Sequence, residues 1–207
     1  MKKILTILIL ISINLYSLTK NEEDFLKASI DGDINKVKEL LALGIDVNIQ
    51  DEEGNTALMY ASYKEHIEIV KELIKSGANV NIKDKYGITA LMLASSEGYT
   101  EVVRELIKAG ANINLQDEDD RTALIYASAG GNTEIAKELI KAGANINIQD
   151  REGKTALIYA SEYGDTEAVR ELIKAGANIN IKDKYSNTAL DYAREEEYDD
   201  IIKLLSK

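Results

Sequence analysis

Apolar residues recur along the chain in adjacent pairs, and each pair is followed by another pair four residues later. In residues 69–74, for example, Ile69 and Val70 are followed by Leu73 and Ile74. This spacing places all four side chains on one face of an α-helix, because a helix makes one turn in about 3.6 residues. The arrangement returns at Val102-Val103-Leu106-Ile107, Ile135-Ala136-Leu139-Ile140 and Ala168-Val169-Leu172-Ile173. The pattern predicts a series of equivalent amphipathic helices.

A shorter helix is predicted before each amphipathic one. The tripeptide Thr-Ala-Leu occurs five times, each time 33 residues after the last, beginning at Thr56, Thr89, Thr122, Thr155 and Thr188. Threonine is a favourable N-cap, because its hydroxyl accepts a hydrogen bond from a backbone N–H that would otherwise be unpaired. In most units a glycine breaks the short helix after about two turns. Each unit therefore consists of two helices.

A polar turn precedes each Thr-Ala-Leu, and the whole unit repeats without insertion. The period also keeps an Asp, an Ala, a Gly and an Asn in register. These residues are Asp51, Asp84, Asp117, Asp150 and Asp183; Ala61, Ala94, Ala127, Ala160 and Ala193; Gly44, Gly77, Gly110, Gly143 and Gly176; and Asn48, Asn81, Asn114, Asn147 and Asn180. A fixed period of this length is the signature of a solenoid of stacked repeats.

The unit resembles the repeat of the ankyrin family. That motif runs Asp-x-x-Gly-x-Thr-Pro-Leu-His, then Gly-His, Leu-Leu and Gly-Ala-Asp-Val-Asn. The second full unit matches it at Asp84, Gly87, Thr89, Leu91, Ala94, Gly98, Leu106, Gly110, Ala111, Ile113 and Asn114. The resemblance covers about residues 21–207. It implies an all-α ankyrin-repeat solenoid of helix-turn-helix units with projecting β-turn or hairpin fingers.

The chain departs from the family motif at several positions. Alanine replaces the motif proline in every unit. The motif histidine is replaced by Met59, Met92, Ile125, Ile158 and Asp191, so the family's Thr–His hydrogen bond cannot form and we expect packing to take its place. Glu65 and Glu197 replace the glycine between the helices, and Asp120 and Ser186 replace the turn glycine.

The repeats predict a single ankyrin-repeat domain over residues 18–207. Its parts are an N-terminal half repeat (21–50), full repeats at 51–83, 84–116, 117–149 and 150–182, and a C-terminal half repeat (183–207). A terminal unit lacks a neighbour on one side, so its outer face must be polar. We interpret the charges of the two end units, such as those of residues 194–200, as solubilising caps.

Residues 1–17 are predicted to be a secretory signal peptide. Lys2 and Lys3 precede an apolar run over residues 4–15, and the chain becomes charged from Lys20. The run is shorter than the roughly 20 residues that a spanning helix needs. We expect cleavage after Ser17 and an exported protein, periplasmic or secreted, with no membrane contact beyond the signal. An uncleaved signal that remains as an anchor is the alternative.

The amino-acid composition excludes most kinds of catalytic site. The chain has no cysteine and one histidine, which excludes thiolate zinc sites, a cysteine nucleophile and histidine-rich metal cages. His66 stands where the family motif has its Gly-His histidine, so we interpret it as a structural residue of the corner between the helices. The net charge of −11 disfavours a nucleic-acid partner. We predict no enzyme activity, no catalytic residue, no cofactor and no metal.

The family resemblance implies that the projecting turns and first helices line a concave face that binds a partner protein. Tyrosine and arginine are the residues most often found as binding hot spots. The predicted partner-binding residues are Tyr63, Lys85, Tyr86, Ile88, Arg121, Arg151, Lys154, Tyr163 and Tyr185. Another tyrosine set recurs at one helical position, where we expect core or rim packing; it comprises Tyr60, Tyr126, Tyr159 and Tyr192.

The leading hypothesis is therefore a monomeric, non-catalytic module that binds a protein of unknown identity. Mixed charge among the variable positions favours a partner of mixed character over a polyanion. One alternative is a passive envelope or assembly component. Another is a metal-dependent secreted enzyme that uses the acidic cluster Asp117–Asp120, although this run lacks the glycine and glutamate spacing of a calcium loop.

Overall fold

The computed structural model describes residues 18–206. The predicted signal peptide, residues 1–17, lies outside the described residues. Within residues 18–206 the chain forms twelve α-helices and no strand; Gln50 and Thr56 form an isolated antiparallel bridge. The all-α class predicted from the sequence is confirmed. The described residues divide between Asn79 and Val80 into two compact units, and the predicted single domain over residues 18–207 stays a prediction.

The described part of the first unit, residues 18–79, contains two helix pairs. Its helices are α1 (Lys20–Asp31), α2 (Ile34–Ala42), α3 (Ala57–Tyr63) and α4 (Ile67–Lys75). Helices α1 and α3 pack together, as do α2 and α4, so the second pair stacks on the first in sequence order. Phe25, Leu40, Leu58 and Leu73 are fully buried. Burial of large apolar side chains as consecutive pairs stack stabilises a repeat that could not bury its apolar face alone.

The described residues of the second unit form four helix pairs that stack in the same way. Its helices are α5 (Ala90–Glu97), α6 (Thr100–Lys108), α7 (Ala123–Ala129), α8 (Thr133–Lys141), α9 (Ala156–Glu162), α10 (Thr166–Lys174), α11 (Ala189–Glu195) and α12 (Asp199–Leu205). The first helices α5, α7, α9 and α11 pack on one another in order, and the second helices α6, α8, α10 and α12 do the same. The stacking predicted from the 33-residue period is confirmed.

The threonine of each Thr-Ala-Leu caps a first helix, as predicted. Each hydroxyl accepts a hydrogen bond from the backbone N–H three residues later, at 3.2 Å for Thr56 and 3.4 Å for Thr188. Except for Thr188, these threonines are buried. The cap therefore also removes the cost of burying an unpaired N–H group.

The expectation that packing replaces the family's Thr–His hydrogen bond is wrong in the last repeat. There the carboxylate of Asp191 accepts hydrogen bonds from the Thr188 hydroxyl at 2.7 Å and from the Thr188 backbone N–H at 2.9 Å. These two bonds lower the pKa of Asp191. Aspartate reproduces the missing bond because it offers an acceptor at the same position.

The residues that replace motif glycines keep the left-handed backbone of the motif. Glu65 and Glu197, between the two helices of their units, have φ of 58° and 59°. Asp120 and Ser186, in the polar turns, have φ of 61° and 68°. A side chain in this conformation costs about 1 kcal/mol or more relative to glycine. The contacts around these turns therefore hold the left-handed backbone against local preference.

The asparagine that recurs in register links consecutive repeats inside each unit. In the first unit Asn48 Oδ1 accepts the backbone N–H of Asn79 at 2.7 Å. In the second unit Asn81, Asn114 and Asn147 accept the N–H of the residue 31 positions later in the same way. Each bond satisfies a backbone donor just after a second helix, where the chain returns towards the next turn.

Candidate functional site

A polar turn, here called a finger, lies immediately before the Thr-Ala-Leu of each of the five full or terminal repeats that carry this tripeptide. The five fingers are residues 51–55, 84–88, 117–121, 150–154 and 183–187. In finger 117–121 the Asp117 N–H donates to the carbonyl of Arg121 at 3.0 Å, and Asp117 Oδ1 accepts the N–H groups of Asp119 and Arg121 at 2.9 and 2.8 Å. The other four fingers repeat these contacts within 0.2 Å. A single carboxylate thus fixes the shape of each finger.

The second oxygen of the same carboxylate ties the finger to its helix. Asp117 Oδ2 accepts a hydrogen bond from the Tyr126 hydroxyl at 2.6 Å. In the same way Asp150 accepts the Tyr159 hydroxyl at 2.7 Å, and Asp183 accepts the Tyr192 hydroxyl at 2.5 Å. Tyr60 makes the same bond to Asp51 in the first unit. The aspartates of the three second-unit pairs are buried, with 6–8% of their surface exposed.

The sequence argument missed this function of the tyrosines, which it assigned to packing alone. The sequence signal for this bond is an aspartate and a tyrosine nine residues apart, which occur in four repeats. Leu93 stands at the tyrosine position of the repeat 84–116, and Asp84 is less buried than Asp117, Asp150 and Asp183. Finger 84–88 therefore keeps its internal carboxylate bonds but lacks the tyrosine tie.

The ties change the acidity of the tyrosines. Burial and the hydrogen bond to Asp51 raise the pKa of Tyr60 to about 12. Burial, followed by the bonds to Asp117 and Asp150, raises the pKa values of Tyr126 and Tyr159 as well. A deprotonated tyrosine would meet a carboxylate at hydrogen-bond distance, so the neutral phenol is strongly favoured.

Consecutive fingers of the second unit are joined by backbone hydrogen bonds. The N–H of Glu118 donates to the carbonyl of Tyr86 at 2.8 Å. The N–H of Arg151 donates to the backbone carbonyl of Asp119 at 2.8 Å, and the N–H of Lys184 donates to the backbone carbonyl of Glu152 at 2.9 Å. The second residue of each finger therefore lies beside the third residue of the finger before it.

Most finger charges in the second unit are already compensated. Arg121 pairs with Asp119 at 3.0 Å, and Arg151 lies 3.8 Å from Asp119. Lys184 pairs with Glu152 at 3.3 Å. These pairs are solvent-exposed, so each contributes little to stability. Their effect is to reduce the charge that the fingers present to a partner.

Lys154 occupies a small cage made by three side chains. Its Nζ lies 2.6 Å from Glu162, 4.4 Å from the ring centroid of Tyr192 and 5.3 Å from that of Tyr159. Only 15% of its side chain is exposed. Burial alone would lower the pKa of Lys154, but the hydrogen bond and charge attraction of Glu162, together with the interaction with Tyr192, leave the pKa above its ordinary value.

The predicted partner-binding residues differ in how accessible they are. Tyr86, Tyr163 and Tyr185 are exposed over 58%, 57% and 71% of their surface, and Lys85 and Arg151 are also exposed. Ile88 and Arg121 are half-buried. Lys154, in its cage, presents little surface to a partner.

The remaining predicted residue, Tyr63, belongs to the first unit. It is exposed, and Lys64 Nζ lies 5.0 Å from its ring centroid.

In the second unit Tyr163 stacks on Tyr159 with ring centroids 6.4 Å apart and an angle of 13° between the planes. Tyr159 is itself tied to Asp150, so Tyr163 is presented on a fixed support.

His66 lies in the corner between α3 and α4, where the family motif places it. One ring nitrogen, Nε2, lies 2.9 Å from the carbonyl of Ile30, in the preceding half repeat of the same unit. Gly32 packs directly against the ring, where a Cβ atom would lie 2.8 Å from His66 Cε1. The contacts are those of a structural side chain that links two repeats.

The acidic run 117–120 is used inside the fold. The oxygens of Asp117 accept hydrogen bonds from backbone N–H groups and from Tyr126, and Asp119 pairs with Arg121. Asp120 lies 4.0 Å from Arg151. Throughout residues 18–206, no group of three or more histidine, cysteine, aspartate or glutamate side chains is arranged to hold a metal ion.

Comparison with known proteins identifies a family and a curated relative. A family model described as Ankyrin repeats (3 copies) matches residues 25–117 and 124–207. The ankyrin repeat protein YahD of Escherichia coli (strain K12) is 54% identical over 39 residues. This second match spans 19% of the present chain and 19% of YahD. In the part of the chain that the structure describes, no helix combines the length and apolar character needed to cross a membrane.

Replacing Tyr126 by phenylalanine is expected to destabilise the protein by about 2 kcal/mol. The change removes a hydrogen bond to a buried carboxylate and leaves Asp117 Oδ2 without its donor. Urea unfolding followed by circular dichroism measures the difference. Tyr163→Phe is the matched control, because this tyrosine is exposed. Equal stability of the two variants would contradict the structural importance of the tie.

Proposed function

The chain belongs to the ankyrin-repeat family, and we propose that it is a non-catalytic protein that binds a partner protein through the concave face of its repeats. Ankyrin repeats are generally protein–protein interaction modules. Folds of this kind carry unrelated specificities on variable positions, so the partner must be argued from the residues of the face itself.

The observation that carries the proposal is the presentation of exposed tyrosines on preshaped turns. Tyr86 and Tyr185 stand at the third position of fingers whose backbone is fixed by Asp84 and Asp183. Tyrosine offers a large contact area with few rotatable bonds. A face that is ordered before binding loses little conformational entropy on association, which favours affinity.

The charges of the face support a protein partner of mixed character. Arg121, Arg151 and Lys184 of the second-unit fingers pair with carboxylates of the same finger or the neighbouring one. They offer no continuous basic stripe of the kind that tracks a phosphate backbone. The overall charge of −11 also opposes a polyanion. We propose a monomer that needs no cofactor.

Export is a second part of the proposal. The basic start, the apolar run over residues 4–15 and the charged residues from Lys20 favour a cleaved signal peptide. The protein would then meet its partner in the periplasm or outside the cell. Since the chain contains no cysteine, it can fold in either place without forming disulfides.

Capture of the partner is expected to depend on the two finger tyrosines. The tagged full chain serves as bait against cell envelope, culture medium and host lysate, beside a double variant with Tyr86→Ala and Tyr185→Ala. We expect a protein that binds the natural bait and is lost with the variant, because truncating hot-spot tyrosines removes most of the contact energy.

Lys141→Ala is the control for this capture, because Lys141 is exposed at the end of α8, away from the fingers. Circular dichroism establishes that all three baits keep their helices. Retention of the same protein by the double variant would disprove the assignment of the face. If none of the three baits captures a protein, the passive envelope or assembly alternative is favoured.

Cleavage after Ser17 is tested by mass spectrometry of the protein made from its full reading frame in a bacterial host. We expect the mature form to begin at Leu18 and to be found in the periplasm or medium. A cytosolic protein that retains residues 1–17 would contradict export. An intact chain in the membrane fraction would instead support the uncleaved anchor.

A further inference from the structure

The positions where consecutive fingers touch follow a charge rule in the second unit. At two of the three contacts the third residue of one finger is an anion and the second residue of the next finger is a cation. These contacts are Asp119 with Arg151, 3.8 Å apart, and Glu152 with Lys184, 3.3 Å apart. The backbone bonds that join the fingers hold the two side chains within reach of each other.

The first contact breaks this rule. Tyr86 stands in the place of the anion, and Glu118 stands in the place of the cation. The backbone bond is the same, with Glu118 N–H donating to the Tyr86 carbonyl at 2.8 Å. Both side chains are exposed. Among residues 18–206, no cation pairs with the Glu118 carboxylate, whereas Asp119 and Asp120 of the same finger lie within 4.0 Å of arginines.

We propose that Tyr86 and Glu118 form an open site for a guanidinium or ammonium group, supplied by an arginine or lysine side chain of the partner. The site rests on the proposed protein-binding function and adds a chemical requirement to it. The cation would lie against the tyrosine ring and pair with the glutamate, as Lys154 lies over the Tyr192 ring and pairs with Glu162.

The chain contains a filled example of the same chemistry. Lys154 lies between the rings of Tyr192 and Tyr159 and pairs with Glu162 at 2.6 Å. A tyrosine face attracts a cation through its quadrupole, and an adjacent carboxylate adds charge attraction and a hydrogen bond. Tyr86 and Glu118 offer the same two groups with no cation of their own.

Finger 84–88 is also the one finger of the second unit without a tyrosine tie. Leu93 replaces the tyrosine that holds each of the other three second-unit fingers, so the Asp84 side chain bonds only its own finger. The internal bonds of Asp84 alone therefore hold the finger that carries Tyr86.

The probe for this site is the peptide acetyl-Gly-Arg-Gly-amide, with the citrulline peptide of equal size as its uncharged counterpart. Titration into the ¹⁵N-labelled protein, expressed from the full chain, is followed by amide chemical shifts. We expect saturable shifts at Tyr86 and Glu118 with the arginine peptide. Glu118→Gln and Tyr86→Leu should each raise the dissociation constant about threefold, which corresponds to an exposed ion pair or cation–π contact.

Two matched variants separate a defined site from general attraction. Asp120→Asn removes the same charge from the same finger, and Tyr185→Leu removes an exposed tyrosine from the same finger position. Both should leave the dissociation constant unchanged. Glu118→Arg, which supplies the missing cation from the chain itself, should abolish the shifts while the helix content stays constant.

Equal effects of Glu118→Gln and Asp120→Asn would overturn the site, as would equal binding of the citrulline peptide or no saturable shift at Tyr86. The titration uses no natural partner, so its result is independent of the capture experiment. A partner captured through the tyrosines together with a failed titration would remove the cation site and leave the proposed function standing. The reverse outcome would leave the site and remove the protein-binding proposal.

Discussion

One aspartate carboxylate per repeat determines the shape of each finger. A five-residue turn outside a helix leaves backbone N–H groups without partners, and such groups must be satisfied when the turn packs against its neighbours. The first oxygen accepts two of them, and in four repeats the second oxygen accepts a tyrosine hydroxyl from the following helix. Because the aspartate supplies these bonds, the second and third residues of the finger are not needed to hold the turn. The repeats differ at these positions, which include Tyr86, Glu118 and Tyr185.

The repeat fold could be predicted from the sequence because its determinants are local and recur at one spacing. Apolar pairs define the buried face of each second helix, and threonine marks the start of each first helix. Both signals act within a few residues, so they survive without knowledge of tertiary contacts. The positions without glycine, such as Glu65 and Asp120, kept the left-handed turn although their own backbone preference opposes it.

The side-chain contacts of the site could be predicted only in part. The exposure of Tyr86 and Tyr185 followed from their place in the turns. The burial of Lys154 did not, because it depends on the rings of Tyr159 and of Tyr192 in the next repeat. The missing hydrogen bond at Asp191 was replaced by a carboxylate, a possibility that the comparison with the histidine of the motif overlooked. Pairings between repeats depend on side-chain reach, which the order of residues alone does not give.

The central claim is that the fingers are ordered in the free protein, and backbone hydrogen exchange tests it most directly. The amides to compare are those of Arg121, Lys154 and Asn187, which donate to finger aspartates. If the fingers are preformed, these amides exchange slowly, with protection approaching that of helices α7, α9 and α11. Exchange at the rate of an unstructured peptide, while the helices remain protected, would contradict a preformed binding face.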